Sequence, residues 1–255
     1  MKPTLIFIHG MWSRHNVWNE WLPVFREQGY ECVAMDLPGH REHGSDQQLA
    51  GAQLQTYVDA VVNVAKAYPR PVLIGHSLGG LLAQLAAQHL DLSGVVMVNS
   101  AAPGQVFPLR AVMLPGLIRH FAKWGLWKRS FRLSEWEANY LVFNRVAPAQ
   151  RAELYQLLIA ESGRVAYAVG YGRLNLAGSN RVNRDKLRCP ILALAGDSDR
   201  IIPVGVSRRV AAWYGPRMDY REFAGHGHWL LGEAGWQQRV EAVRQWIDTL
   251  TPRAA

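Results

Sequence analysis

The sequence predicts an α/β protein: a parallel sheet covered by helices on both faces, with a helical segment inserted late in the chain. Three observations carry this. Short apolar runs rich in β-branched residues alternate with amphipathic stretches of helical length. One such run, Pro71-Val72-Leu73-Ile74, leads straight into Gly75-His76-Ser77-Leu78-Gly79-Gly80. Between Ala101 and about Lys186 the alternation stops and aromatic-rich helical segments take its place.

The elements follow in order. Residues 4–8 form a short apolar strand, and 17–26 an aromatic-bearing helix. Residues 31–35 form a strand that ends in Asp36-Leu37-Pro38-Gly39-His40. Residues 49–68 read as one helix, with Leu54, Tyr57, Val58, Val61, Val62 and Ala65 on one face. The strand at 71–76 precedes a helix that carries Leu78, Leu81, Leu82, Leu85, Ala86 and His89 at helical spacing. Strands follow at 94–99, 191–195 and 218–223, with a helix near 204–214. Trp236, Val240, Val243, Ile247 and Leu250 stripe a closing helix.

The inserted segment carries Phe107, Phe121, Trp124, Trp127, Phe131, Trp136, Tyr140 and Phe143. Ser134-Glu135-Trp136-Glu137 is a capping box that opens one of its helices, and Pro148 fits the first turn of the next.

Composition narrows the class. The 49% apolar content suffices for a buried core at this length, and no internal repeat is present. The apolar stretch near residues 5–11 is too short for a signal peptide or a membrane span. Cys32 and Cys189 fall at predicted strand starts and read as buried free thiols, which fits a cytoplasmic location. The net charge of +8 is uneven: residues 105–188 hold 14 Lys and Arg against 5 Asp and Glu, so the rest of the chain is close to neutral. No nucleic-acid-binding module accompanies this charge, so no nucleic-acid partner is expected. A solvated basic face is the ordinary reading. An anionic substrate, an acidic partner or an anionic membrane surface stay open. No metal constellation and no phosphate-binding loop is visible, and no cofactor is expected.

The Gly75-His76-Ser77-Leu78-Gly79 pattern is that of a nucleophile elbow. The flanking glycines have no side chain to clash where the chain reverses. The serine then takes a backbone conformation that costs about 1–3 kcal/mol and exposes its hydroxyl beside the free N–H groups of a helix start. With this motif in its strand–helix context, the chain resembles the α/β-hydrolase superfamily over nearly all of its 255 residues, as a capped serine esterase-like member.

The resemblance implies an α/β-hydrolase fold. Counted against the family pattern, the usual opening hairpin is missing and about six strands remain, all parallel. Residues 1–103 and 187–255 would form the core, and 104–186 a helical cap that roofs the site. The chain order of serine, acid, histidine implies Ser77 as nucleophile, with its acid and base downstream. In Gly196-Asp197-Ser198-Asp199-Arg200-Ile201-Ile202-Pro203, the family's spacing selects Asp199 over Asp197, which reads as a turn residue. In Gly225-His226-Gly227-His228-Trp229, His228 is the expected base because Glu233 follows it at the family's interval. The backbone N–H groups of Met11 and Leu78 are the expected oxyanion hole. Trp12, His76 and Trp229 are pocket candidates, and His9 is read as a buttress of the oxyanion loop.

The implied activity is hydrolysis of a small-molecule carboxylic ester or thioester through an acyl-enzyme, the substrate bearing an apolar group and, on the charge argument, an anionic one. A triad enzyme working as a C–C hydrolase, lactonase or acyl transferase, and a catalytically silent binding protein, are the alternatives. Contact with a membrane surface is a minority reading. The chain alone does not separate monomer from homodimer.

Overall fold

The computed structural model describes residues 2–40, 46–121 and 125–250. Trp124 of the aromatic series lies outside them. In chain order, β1 (Leu5–Ile8), α1 (Trp21–Glu27), β2 (Cys32–Met35), α2 (Asp46–Gly51), α3 (Leu54–Ala65), β3 (Val72–His76), α4 (Leu78–Ala87) and β4 (Gly94–Val98) build the first half. Next come α5 (Leu114–Phe121), β5 (Ser130–Phe131), α6 (Glu135–Leu141), α7 (Pro148–Gln156), β6 (Glu161–Ser162) and α8 (Gly163–Gly170). Then β7 (Ile191–Gly196), α9 (Val204–Tyr214), β8 (Met218–Phe223) and α10 (Trp236–Leu250) close the chain.

Six strands form one sheet in the order β2-β1-β3-β4-β7-β8, and every pairing is parallel. No opening hairpin precedes β1 among the described residues, as the strand count anticipates. The central strands β1, β3, β4 and β7 are buried along their whole length, because helices cover both faces. α1 and α10 touch each other on one face, while α3 and α4 pack together on the other, where Tyr214 of α9 donates from Oη to Gln84 of α4 at 2.9 Å.

Two predicted helices are split. The stretch 17–26 becomes a 3-10 turn, His15–Trp18, followed by α1. Pro23 explains the break. Deep in a helix its ring would clash with the carbonyl of Asn19, so the helix restarts at Trp21 and leaves the proline in a first turn. The stretch 49–68 breaks at Gln53, whose backbone is extended. There the Ala52 carbonyl accepts a hydrogen bond from Ser162 Oγ at 3.1 Å instead of continuing a helical ladder.

Residues 104–186 carry helices α5 to α8 and a small antiparallel pair, β5 with β6, that periodicity does not show. Ser134 and Glu137 form the anticipated capping box on α6, and Pro148 sits in the first turn of α7. Both cysteines are free but only half-buried, short of the full burial expected of them.

Candidate active site

Ser77 sits between the end of β3 and the start of α4 with φ 53° and ψ −117°, a strained conformation for a side-chain-bearing residue. Its neighbours must be glycines for lack of room. A Cβ on Gly75 would lie 2.2 Å from the Gly79 carbonyl oxygen, and one on Gly79 would lie 2.1 Å from the Ile8 carbonyl oxygen. The crest is pinned from both sides: the Ser77 N–H donates to Val98 O at 3.0 Å, and the Ala101 N–H donates to Ser77 O at 2.9 Å.

Asp199 follows β7 and His228 follows β8, so all three predicted residues stand at the carboxyl ends of parallel strands. His228 Nδ1 donates to Asp199 Oδ2 at 2.7 Å, and both groups are buried. The other carboxylate oxygen, Oδ1, accepts the N–H groups of Ile201 and Ile202 at 2.8 Å each. In the neutral ring this arrangement leaves Nε2 as the acceptor. Among the described residues no hydrogen bond joins it to Ser77 Oγ, a link that commonly closes only around substrate.

The His228 loop is held by groups outside the predicted set. Glu233 accepts the Gly227 N–H at 2.9 Å and the Trp229 N–H at 3.1 Å, one on each side of His228. His226 is not at the crest: its Nδ1 pairs with Glu233 Oε2 at 2.9 Å. Asn99, just past β4, has φ 45°. Its Nδ2 donates to the carbonyls of Gly227 and His228 at 2.8 and 2.9 Å, and its Oδ1 accepts the Gly196 N–H at 2.8 Å. Sequence reasoning missed Asn99. The available signal was an asparagine at a strand end, a type that tolerates positive φ.

The expected oxyanion loop lies against the crest. A Cβ on Gly10 would fall 2.9 Å from Ser77 Cβ. His9, fully buried, donates from Nδ1 to the Gly10 carbonyl at 2.8 Å and accepts the Leu37 N–H on Nε2 at 3.0 Å. Burial first, and the charge of nearby His40 second, push its pKa down to about 3, so it stays neutral and holds that tautomer. Asp197 accepts the Gly225 N–H at 2.8 Å, in keeping with a turn residue.

Ser77, Leu78, Met11 and Trp12 open onto one cavity of about 150 Å³. Its far walls come from segment 104–186, with Met113, Leu117, Leu126, Trp127, Phe131 and Tyr167 among the lining residues. Among the described residues no Lys or Arg lines the cavity. His76 and Trp229 are not in the lining either. His76 lies behind the crest, donating from Nε2 to the His228 carbonyl at 3.0 Å, its ring 5.8 Å from that of Trp229. Trp229 in turn packs on Phe143 at 5.2 Å.

Residues 5–243 match the sequence model of the Alpha/beta hydrolase family. The chain is 28% identical to human Protein ABHD8 over an alignment of 222 residues that covers 81% of this chain and 47% of that protein. It thus spans about half the length of that relative. It is 29% identical to a pimeloyl-[acyl-carrier protein] methyl ester esterase of Xanthomonas axonopodis pv. citri, over 97% of this chain and 96% of that one. Among solved structures it superposes on a pyrethroid hydrolase from Sphingobium faniae JZ-2 with a TM-score of 0.70 at 19% identity, covering 97% and 98% of the two chains. The Arabidopsis methylesterase protein MES16 gives 0.74 at 11% identity over 97% and 99%. These last two likenesses speak to fold. The match that spans nearly the whole of the described sheet decides the kinship: the chain belongs to the alpha/beta hydrolase family.

Proposed function

We propose that the protein is a serine hydrolase of carboxylic esters, thioesters included, working through an acyl-enzyme. The observation that carries this is a strained serine facing an apolar cavity, with a buried His228–Asp199 pair past the ends of β7 and β8. Ser77 Oγ attacks the acyl carbon while His228 Nε2 takes its proton. Asp199 holds Nδ1–H, fixes the tautomer and stabilises the imidazolium that forms. The N–H groups of Leu78 and Met11 receive the developing oxyanion. His228 then protonates the departing alcohol or thiol, and water, deprotonated by the same imidazole, releases the acid. Segment 104–186 acts as the cap that roofs this chemistry and excludes bulk water.

The cavity sets the substrate class. Its volume is room for about five waters, so it suits an acyl or aryl group of about six non-hydrogen atoms. A lining without Lys or Arg among the described residues supports an uncharged group inside it, so the basic surplus gives no support there to an anionic one. The name of the Xanthomonas relative, an esterase of a methyl ester, accords with an uncharged ester end. No observation favours C–C cleavage, lactone opening, acyl transfer or silent binding over ester hydrolysis.

A chain-length series of p-nitrophenyl esters tests the reading. Turnover should be highest for medium acyl chains and absent in Ser77→Ala, with a loss of about a millionfold in kcat. A fluorophosphonate probe should label Ser77 in the parent and nothing in the variant. Undiminished ester turnover by Ser77→Ala would defeat the proposal.

A further inference from the structure

The large apolar side chains that the fold leaves exposed are gathered in one part of the molecule. Among the described residues they are Phe107, Val112, Leu114, Ile118, Trp136, Tyr167, Leu174 and Leu176, all within segment 104–186. Leu176 is 95% exposed, and Ile118 and Leu174 are 63% exposed. Side chains of this kind are ordinary when scattered and informative when grouped.

They are grouped around the cavity. One wall runs through Pro108, Met113 and Leu117, the other through Ala166, Tyr167 and Tyr171. The two walls meet where Gly172 abuts Pro108, so closely that a Cβ on Gly172 would lie 2.5 Å from the proline ring. Exposed residues sit beside the lining ones on both walls: Phe107 next to Pro108, Val112 and Leu114 around Met113, Ile118 next to Leu117, and Leu174 two positions past Gly172. Trp136 stacks on Tyr140, whose hydroxyl donates to the Val112 carbonyl at 3.1 Å, which ties α6 into the same rim. Tyr167 both lines the cavity and is 43% exposed, so the cavity reaches the surface beside it.

The charge around this rim is mainly positive, although Glu135 is exposed beside Trp136 and Glu137 pairs with Arg119 at 2.7 Å. Residues 105–121, 125–134 and 162–184, which contribute both walls, hold nine Lys and Arg with no Asp or Glu. Arg164 is exposed on α8 one turn before Tyr167, on the same helix face. Lys128 and Arg129 are exposed directly after Trp127, whose ring contacts Tyr167.

We propose that this rim docks on an anionic lipid surface, the aliphatic and aromatic side chains entering the headgroup boundary and the basic residues meeting its negative charge. A basic, apolar-faced segment of this kind lies on a bilayer rather than across it. No helix among the described residues is long and apolar enough to cross a membrane. An acidic protein could satisfy the charges but gives no reason for the protruding Leu174 and Leu176, so lipid is the occupant the surface fits. Docking places the cavity mouth against the bilayer, and an apolar ester dissolved there can pass to Ser77 without crossing water. Only this delivery step rests on the ester-hydrolase reading.

Vesicle co-sedimentation tests the docking. The full chain should pellet with vesicles of equimolar phosphatidylserine and phosphatidylcholine, stay soluble with phosphatidylcholine alone, and be released by high salt. Ser77→Ala should bind as the parent does, so that docking is judged apart from catalysis. The double variant Leu174→Asp, Leu176→Asp changes exposed side chains outside the cavity lining. It should bind the anionic vesicles about tenfold more weakly or worse, while turnover of a water-soluble short ester stays unchanged. No pelleting of the parent with anionic vesicles overturns the proposal. So does salt-sensitive binding that the double variant leaves intact, because charge alone would then be recognised, as by an acidic protein.

Discussion

Ser77 is held in a strained conformation, and two residues of the site, Gly10 beside it and Asn99 at the His228 loop, offer sharp tests. Gly10 has no positive φ. What it supplies is room, since any Cβ there would meet Ser77 Cβ at 2.9 Å. Gly10→Val should fold, push the oxyanion loop off the crest and lower kcat by about 10²–10³-fold, the usual cost of one lost donor. Parent-like kcat in a variant with parent-like circular dichroism would remove Met11 from the oxyanion hole. Asn99 is a positioning residue that bridges the end of β7 to the His228 loop. Asn99→Gly keeps the backbone free to hold φ 45° and removes the bridge. We expect kcat to fall about 10²-fold with little change in KM, as misplacement of a reacting group by about 1 Å does. A matched loss in KM would instead mark a change in the substrate cavity. Motif spacing singled out Ser77, Asp199 and His228, which the fold places at the carboxyl ends of β3, β7 and β8. The Asn99 bridge was not legible in the sequence, because its partners lie about a hundred residues away and are backbone atoms, which carry no sequence signature.

At the scale of elements, local pattern identified the strands and most helices, and failed where tertiary contacts decide. Pro23 could have been read as a helix restart from the sequence alone. The break at Ala52 could not, since it depends on Ser162 arriving from the inserted segment. The same contact region anchors that segment to the core. Glu161 of β6 is fully buried and accepts from His40 Nε2 at 3.0 Å, Tyr57 Oη at 2.9 Å and the Ser162 N–H at 2.6 Å. His40 Nδ1 faces the Pro38 carbonyl at 3.3 Å, so both ring nitrogens face acceptors and the ring holds two protons. Burial pulls the His40 pKa down, but the Glu161 carboxylate more than offsets it and the value rises overall. Glu161→Gln keeps the shape and removes the countercharge from a buried cation. It should cost about 3–5 kcal/mol, seen as a fall in Tm of roughly 6–15 °C, with faster proteolysis within 104–186. A Tm within a degree or so of the parent would mean that the pair does not anchor the segment.

For the molecule as a whole, the buried histidines set opposite limits on the pH range of stability. His40, with its raised pKa, contributes stability that is complete below about 6.5, its unfolded value, and is lost as pH rises through its folded value. His9 and His76 act the other way. Burial, chiefly, holds both near 3, with His40 and His228 respectively as the next cause. The unfolded chain therefore binds their protons first, and folding weakens as pH falls from about 6.5 towards 3, by about 1.4 kcal/mol per pH unit for each ring. His9 is faced by His40, Asp36 and His15, and His76 by His228 and His9, and none of these neighbours stabilises a proton on either ring enough to offset burial. Urea unfolding followed at pH 7 and pH 5 should then show a loss of about 4 kcal/mol from these two groups together. His76→Gln keeps a donor for the His228 carbonyl and removes one titrating ring, so it should shed about half of that loss. A variant whose stability falls between the two pH values as steeply as the parent's would show that His76 is already protonated behind the crest. That protonation would set a second positive charge, at a ring-to-ring distance of 4.8 Å, against the imidazolium that the proposed mechanism forms on His228. On the proposed mechanism the neutrality of His76 is thus a condition on catalysis as well as on folding, and the pair of urea curves tests that neutrality.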